Sequence, residues 1–180
     1  MMPEGAGTRK GDQKLTSIEC IDSSPVQRVV QFRIKPGSDL LQAIAEALKT
    51  ERVRAGVFVS GLGALRKGIF RNLKVFPEKF PVRPEDRLYL EITTPMELVS
   101  LTGWIAPRDD GDPEIHAHFA ASTVQNDTVL TLGGHLTEGT ICGIKVVVAV
   151  LVTGEDRVRA VVDPHTKSFD ISFGENAGQG

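Results

Sequence analysis

Three of the four histidines in this chain lie in two neighbouring segments that both read as strands. His116 and His118 belong to IHAHFAAST, and His135 belongs to VLTLGGHLTEG. Residues two apart on a strand project to the same face, so His116 and His118 point in one direction wherever their strand lies. Neutral imidazole is a common protein ligand for zinc, copper, iron and nickel. The spacing therefore suggests a metal site, provided that the sheet brings His135 to the same face.

The turn between the two segments decides how His135 meets the other two rings. A two-residue loop at 126–127 would pair His118 directly with His135, whereas a four-residue loop at 124–127 would pair His116 with His135. Both registers place all three imidazoles on one face, and a three-residue loop would break that parity. Positions 126 and 127 are Asn and Asp, which tolerate the left-handed backbone of tight turns. We therefore expect a loop of even length.

The three histidines have the chemistry of an open metal site. Opposed strand residues have Cβ atoms about 5 Å apart, so facing imidazoles can share a cation at Zn–N distances of about 2.0 to 2.1 Å. Three histidines with one coordination position left open are typical of zinc sites that accept a ligand. We predict that His116, His118 and His135 bind zinc or another divalent transition metal. The alternative is that they are partly buried strand histidines with hydrogen bonds to the backbone.

A few other residues are candidates for a ligand pocket or for support of the histidines. Gly133 and Gly134 lack Cβ atoms beside the cluster, which lets a ligand or a neighbouring backbone approach, or marks a bulge. Glu138 follows the last histidine on the GGHLTEG segment, and Arg54 precedes a strand that ends in the glycine-rich SGLG. Ordinary surface salt bridges are the alternative for both charged residues. The fourth histidine, His165, lies in a DPHT turn and is expected at the surface.

The composition is that of an ordinary globular chain and argues against several partners. Lys and Arg number 21 against 23 Asp and Glu, a net charge of -2, so there is no general attraction to nucleic acid or anionic lipid. The longest apolar run, residues 146–152, is too short to span a bilayer. Cys20 and Cys142 form no C-x-x-C pair, and no signal-peptide pattern opens the chain. We expect a cytoplasmic protein with no membrane span.

Short strands dominate the predicted secondary structure. QRVVQFRIK alternates as a half-buried strand does, and PGSD ends it. Ser38 can cap a helix whose apolar positions recur at helical spacing, namely Leu40, Leu41, Ile44, Ala45 and Leu48. Seven further segments read as strands: VRAGVFVSG, LRKGIFRNLKVF, RLYLEITT, ELVSLTGWIA, IHAHFAAST, TVLTLGG and GIKVVVAVLV. Few connections have room for a crossover helix, so we predict an α+β fold with a mainly antiparallel sheet and one principal helix.

The ends of this pattern set the expected domain boundaries. Residues 1–14 and 174–180 are polar and lack periodicity, so we expect disordered tails around a single domain at 15–173. The longest irregular connection is FPEKFPVRPEDR, in which Phe76 and Phe80 are candidate apolar anchors. Long loops of this kind often contact ligands or partner subunits.

Five sequence blocks in a fixed order carry a family resemblance: PGSDLLQAIAEAL, RAGVFVSGLGAL, MELVSLTGWI, IHAHFAAS and GGHLTEGTICG. They resemble the PPC domain, the plant and prokaryote conserved domain that also forms the body of plant AT-hook nuclear-localised proteins. The resemblance covers nearly all of the predicted folded part. It implies a strongly bent antiparallel sheet with a helix packed against it, assembled as a homotrimer.

The resemblance also implies ligands. In the prokaryotic branch the H-x-H and G-G-H histidines are similar to a metal site, and they match His116, His118 and His135 here. Prokaryotic members are often labelled as candidate DNA-binding proteins. This chain, however, lacks the Arg-Gly-Arg core with which AT-hooks enter the minor groove. It therefore resembles a stand-alone member of the prokaryotic type, in which DNA binding has no support from charge or motif.

Three functions remain as hypotheses. The first is a homotrimeric domain with a three-histidine metal or small-ligand site at or near subunit interfaces, in a regulatory role. The second is a DNA-associated regulator, as the family label implies. The third is a metalloenzyme that uses a metal-bound water, for which the sequence names neither substrate nor catalytic residues.

Overall fold

The fold is built from nine strands and one α-helix within residues 17–174, the part of the chain that the computed structural model describes. In chain order they are β1 (Val26–Ile34), α1 (Leu40–Thr50), β2 (Gly56–Leu73), β3 (Arg87–Ile92), β4 (Met96–Pro107), β5 (Pro113–Gln125), β6 (Thr128–Leu136), β7 (Ile141–Thr153), β8 (Val158–Val162) and β9 (Phe169–Phe173). A short 3₁₀ helix at Pro84–Asp86 lies between β2 and β3. The predicted tail at 1–14 lies outside the described residues, and so does the tail at 174–180 apart from Gly174. None of the described helices is long and apolar enough to cross a membrane.

Seven strands form one sheet, and the far end of β2 closes a circuit within it. The order is β1-β7-β2-β4-β5-β6, with β3 on the end of β2, and every pairing is antiparallel. The first part of β2 pairs with β4 and β7. Its last part pairs with β3 and also with β6, through Phe70 opposite Leu136 and Arg71 opposite His135. The predicted mainly antiparallel sheet with one α-helix is confirmed.

The strand β2 is longer than the sequence pattern indicates. The segments at 53–61 and 65–76 read as two strands, but the structure joins most of them into one strand of 18 residues. The glycines of SGLG do not end the strand, because Gly61 pairs with Val148 of β7 and Gly63 pairs with Val146 beside a bulge. Gly63 has a φ of 149°, and a Cβ there would collide with the carbonyl oxygen of Lys145. A glycine that marks close backbone approach was thus misread as a break.

The N-cap of α1 lies one residue later than the sequence predicts. Asp39, not Ser38, is the N-cap, and its carboxylate accepts a hydrogen bond from the backbone N–H of Gln42 at 3.0 Å. The other carboxylate oxygen accepts from the N–H of Gly139 at 2.5 Å. The backbone of Ser38 instead pairs with Cys142, whose N–H donates to the Ser38 carbonyl at 2.9 Å. Asp39 therefore joins the helix start to the turn after β6.

One apolar core lies between the helix and the sheet. Leu40, Ile44 and Leu48 are fully buried and belong to the same cluster as the inward residues of the strands. On β5, Ala117 and Phe119 alternate with the histidines and point into this cluster. Burying each large side chain contributes about 1.5 to 3 kcal/mol, so the inward residues fix which face the histidines occupy.

The last two strands were absent from the predicted elements. β8 and β9 pair with each other as a separate two-stranded sheet, with Val158 opposite Phe173. They pack on β4 through a second apolar cluster that contains Ala106, Val158 and Ala160, with Trp104 at its edge. Each strand has five residues and an irregular pattern of exposure, so periodicity gives little signal for it.

The long connection after β2 has only one of its two predicted anchors. Phe76 is 88% exposed, so it anchors nothing within the described chain. Phe80 meets the ring of His165 edge-on, with ring centroids 4.7 Å apart. His165 is exposed, as predicted. The connection therefore contacts the turn between β8 and β9 near the outer face of the sheet.

The two candidate caps of α1 give different expected costs. Asp39→Ala removes an acceptor from two backbone N–H groups and should lower the free energy of unfolding by about 1 to 2 kcal/mol. Ser38→Ala removes no side-chain hydrogen bond of the described structure and should change it by less than about 0.5 kcal/mol. Urea unfolding of both variants and the wild type measures this. A larger loss of stability in Ser38→Ala than in Asp39→Ala would contradict the assignment of Asp39 as the N-cap.

Candidate metal centre

The turn between β5 and β6 sets the register of the histidines. Asn126 and Asp127 have φ values of 49° and 57°, the left-handed conformation of a two-residue hairpin turn. Gln125 pairs with Thr128, and His118 lies directly opposite His135. The two-residue alternative for the loop is therefore confirmed, and the four-residue alternative is wrong. All three imidazoles lie on one face of the hairpin.

The ring nitrogens of the three histidines converge. His116 Nε2 lies 3.3 Å from His118 Nε2, and His135 Nδ1 lies 3.4 Å from the same atom. All three ligand nitrogens lie within 4.8 Å of one another. Nitrogens about 2.05 Å from a tetrahedral zinc ion are about 3.4 Å apart, so two of the separations already match those of ligands to one ion. Two of the rings therefore converge on the single atom His118 Nε2.

A row of paired residues crosses five strands at this point. It runs from Tyr89 on β3 through Arg71 on β2, His135 on β6 and His118 on β5 to Thr102 on β4. Residues directly opposite each other in antiparallel strands share a face, so the whole row lies on the outer face. His118 and His135 are therefore each paired with a neighbouring strand on both sides, and His116 is paired with Trp104 of β4.

Aromatic stacking supports the histidine strands on both faces of the sheet. Phe70 of β2 stacks on Phe119 of β5 with ring centroids 4.7 Å apart, and both are buried. On the outer face, Trp104 stacks on His116 at 5.1 Å between centroids. Gly103 has a φ of 144°, and a Cβ there would collide with the carbonyl oxygen of His116. β4 thus lies close enough to β5 to hold His116 in place.

The histidines line one side of an open cleft of about 720 Å³. Three charged residues of the cleft are not among the predicted site residues, namely Arg71, Arg87 and Glu114. Glu114 carried a readable signal, because it lies two residues before His116 and so shares its face. Arg108 holds the Glu114 carboxylate in an ion pair at 3.2 Å. The remaining lining is Asn72, Leu73, Val82, Ser168 and Phe169.

The pKa of each cluster histidine is lowered, so the rings are neutral near neutral pH. Desolvation by burial is the largest cause for all three. The positive charge of Arg71 lowers the pKa of His118 and His135 further. For His135 the pKa falls to about 3. Since only a neutral imidazole can ligate a metal, protons do not compete for these nitrogens near pH 7.

The other predicted pocket residues lie outside the cleft. Arg54 forms an ion pair with Glu155 at 2.7 Å and donates to the carbonyl of Gly111 at 2.5 Å, which is the salt-bridge alternative. Glu138 is exposed in the turn after β6. Neither side chain lines the cleft that contains the histidines.

The two glycines before His135 contact the end of β2. The carbonyl of Gly133 accepts a hydrogen bond from Asn72 Nδ2 at 2.8 Å. A Cβ on Gly134 would lie 3.1 Å from the carbonyl oxygen of Arg71 and 3.2 Å from its nitrogen. Of the alternatives for these glycines, Gly134 has the close approach of a neighbouring backbone, the end of β2, whereas a Cβ on Gly133 would meet only ordinary contact distances.

The low pKa of His135 makes the stability of the metal-free protein depend on pH. Between about pH 6.5 and pH 3 the unfolded chain binds a proton at His135 that the folded chain does not, so stability falls as the pH falls. The loss per pH unit is at most about 1.4 kcal/mol. Urea unfolding of chelator-treated protein at pH 7 and pH 5 should show a smaller loss in His135→Gln than in the wild type. His165→Gln is the control, and equal losses in all three proteins would contradict the assignment.

The chain matches a known domain family, and its fold resembles those of solved structures. The profile of the Plants and Prokaryotes Conserved (PCC) domain matches residues 21–153. A metal-containing protein from Archaeoglobus fulgidus has a similar structure, with a TM-score of 0.66 and 22% identity over 84% of this chain and 97% of that one. A plant- and prokaryote-conserved protein from Pyrococcus horikoshii gives a TM-score of 0.63 at 22% identity, covering 83% of this chain and 95% of that one.

Two further relatives have different descriptions. A candidate DNA-binding protein from Ralstonia eutropha gives a TM-score of 0.62 at 21% identity, over 80% of this chain and 90% of that chain. The bifunctional protein GlmU of a Synechococcus strain is 28% identical over 144 residues, which are 80% of this chain and 20% of that protein. This chain thus spans about a fifth of the length of that relative. The domain match over residues 21–153, together with the shared fold, shows that the chain belongs to the Plants and Prokaryotes Conserved domain family.

Proposed function

We propose that this chain is a metal-binding domain in which His116, His118 and His135 hold one divalent transition metal, zinc first among them. The observation that carries the proposal is the convergence of their nitrogens, at 3.3 and 3.4 Å from a shared neighbour. These are the separations of ligands around one tetrahedral ion, and the low pKa of each ring keeps its lone pair free. The relative from Archaeoglobus fulgidus is described as a metal-containing protein, which agrees with this proposal.

The donor set leaves a coordination position for a ligand. Among residues 17–174, the group that could hold an ion comprises the three histidines alone. Cys142 is buried in the core, and the Glu114 carboxylate is held by Arg108. A bound metal would supply a Lewis-acid position that faces the cleft. We propose that a small ligand in the cleft occupies it in a regulatory role, and a metalloenzyme is the alternative.

A DNA-binding function is less well supported for this chain. The description of the Ralstonia eutropha relative is the argument in its favour. The chain has a net charge of -2, and the apolar stripe of α1 is buried in the core. The exposed side of α1 carries Glu46 beside Lys49, so it presents no basic face to a groove.

We also propose that the chain assembles as a homotrimer. The family resemblance gives the number of subunits, and an apolar surface on the sheet supports association. Six aliphatic residues on the adjacent strands β2, β4 and β7 are 40% to 69% exposed: Val57, Val59, Leu62, Val99, Ile144 and Val147. Contiguous apolar patches on a small domain commonly mark subunit interfaces. We call these six residues the aliphatic surface.

Removing one histidine tests the metal site. After zinc reconstitution and desalting, the wild type should retain about one zinc per chain by elemental analysis. His118→Ala should bind zinc more than about 10-fold more weakly, because it removes the nitrogen that both other rings approach. His165→Ala, which removes an exposed histidine outside the cleft, is the matched control. Equal zinc in the wild type and His118→Ala, or no zinc in any of the three proteins, would contradict the metal site. The three residues would then be strand histidines without a metal.

A charge on the aliphatic surface tests the trimer. Sedimentation equilibrium at micromolar concentration should give the mass of three chains for the wild type. Leu62→Glu should dissociate the assembly, because an unpaired carboxylate would be buried at the interface. Val129→Glu places the same charge on another exposed valine, at the β5-β6 hairpin, and should leave the mass unchanged. A monomeric wild type would contradict the proposal.

A further inference from the structure

Within the described part of the chain, two arginines in the histidine cleft have no acidic partner. Within residues 17–174, the basic side chains in ion pairs are Arg28, Arg54, Lys67, Arg83, Arg108 and Arg157. Arg71 and Arg87 are in none of these pairs, although both are partly buried and line the cleft. A guanidinium that loses water without gaining an anion is costly, so two of them in one cleft call for an explanation.

Strand register places both arginines on the same face as the histidines. Arg71 lies directly opposite His135 on β6 and opposite Tyr89 on β3. Arg87 lies opposite Leu73, which is two residues from Arg71 on β2 and therefore on its face. The four side chains Arg71, Arg87, His118 and His135 thus surround one opening.

Among residues 17–174, the charged side chains that line this opening are two arginines and one glutamate, and the Asp170 carboxylate acts on His116 from nearby. The one carboxylate that lines the cleft within the described chain, Glu114, is already paired with Arg108. Tyr89 offers Arg71 a hydroxyl rather than a charge. Arg71 and Arg87 lie on the same face of the adjacent strands β2 and β3, so two like charges face one opening. An anion between them would relieve both the desolvation and the repulsion.

We propose that Arg71 and Arg87 form an oxyanion subsite beside the histidines, which receives the carboxylate or phosphate group of a small organic molecule. This deepens the proposed function, since the ligand would reach the open metal position from the same cleft. Guanidinium groups present paired N–H donors that match the oxygens of carboxylate and phosphate. Val82 and Phe169 add apolar surface for the organic part.

The size of the cleft agrees with a ligand of this class. A volume of about 720 Å³ is within the range of sites for small molecules and cofactors. The combination of a few charged groups with apolar walls is also typical of such sites. With a divalent cation on the histidines, the cleft would strongly favour an anion over a neutral or cationic molecule of the same shape.

Calorimetric titration with three probes tests the subsite. Benzoate and phenyl phosphate separate carboxylate from phosphate, and benzamide is the neutral match to benzoate. We expect zinc-loaded wild type to bind at least one of the two anions and to bind benzamide at least 10-fold more weakly. Arg71→Met and Arg87→Met keep the apolar stem of the side chain, and each should weaken anion binding about 10-fold or more while the zinc content stays that of the wild type.

A matched control and a second variant guard the result against misfolding. Arg33→Met removes an exposed arginine on β1, outside the cleft, and should bind the anions as the wild type does. Arg71→Lys keeps the charge but loses the paired donors, so it should bind with intermediate affinity. If Arg71→Met does not fold, as judged by circular dichroism, Arg87→Met and Arg71→Lys carry the test.

The outcomes separate this subsite from the metal site. Zinc retention without binding of either anion, or equal binding by wild type, Arg71→Met and Arg87→Met, would overturn the subsite and leave the metal site standing. Equal affinity for benzamide and benzoate would also overturn it. If the wild type retains no zinc, the same titrations are read on the zinc-free protein. Arginine-dependent anion binding there supports the subsite without the metal, and its absence overturns the subsite as well.

Discussion

The pairing of the end of β2 with β6 is the constraint on which the candidate site depends. Without it the histidines would lie on the last hairpin of an open sheet, with one edge free. The pairing needs close backbone approach, which Gly134 permits because a Cβ there would press on the backbone of Arg71. Asn72 then ties the two strands together through the carbonyl of Gly133 at 2.8 Å. Gly134 therefore acts on the site indirectly, by allowing the close approach of the strand that brings Arg71 beside His135.

The same register builds the core and the site on opposite faces. On β5, Phe119 points into the core and stacks on Phe70. Ala117, between His116 and His118 in sequence, also points into the core. A shift of one residue would bury two imidazoles and expose a phenylalanine, so the hydrophobic core enforces the position of the site. Partial burial of the rings has an electrostatic cost, because desolvation disfavours their charged form. That cost is useful at a metal site, since it keeps the ligands in the neutral form that binds.

Local sequence patterns predicted those features of the site that depend on one strand or one turn. The face shared by His116 and His118 follows from a spacing of two, and the meeting of His118 with His135 follows from a tight turn at 126–127. The errors arise where tertiary contacts overrule local signals. Ser38 and Asp39 are both good caps, and the choice of Asp39 depends on Gly139, far along the chain. The glycines within SGLG predict the end of a strand, because the local sequence carries no sign that β7 pairs with this segment. Arg71 could not be assigned to the site, because only the long-range pairing of β2 with β6 brings it there.

The net charge, which argues against broad affinity for polyanions, says little about this cleft. A value of -2 is a sum over the whole surface, whereas a ligand in the cleft senses the few groups around it. There, Arg108 and Glu114 cancel each other, and Arg71 and Arg87 remain. A nucleic-acid backbone needs a row of exposed cations along an extended surface, and these two arginines are partly buried in a recess. Local positive charge inside an overall acidic protein therefore favours a small anion that can enter the recess over a long polyanion that must lie across its mouth.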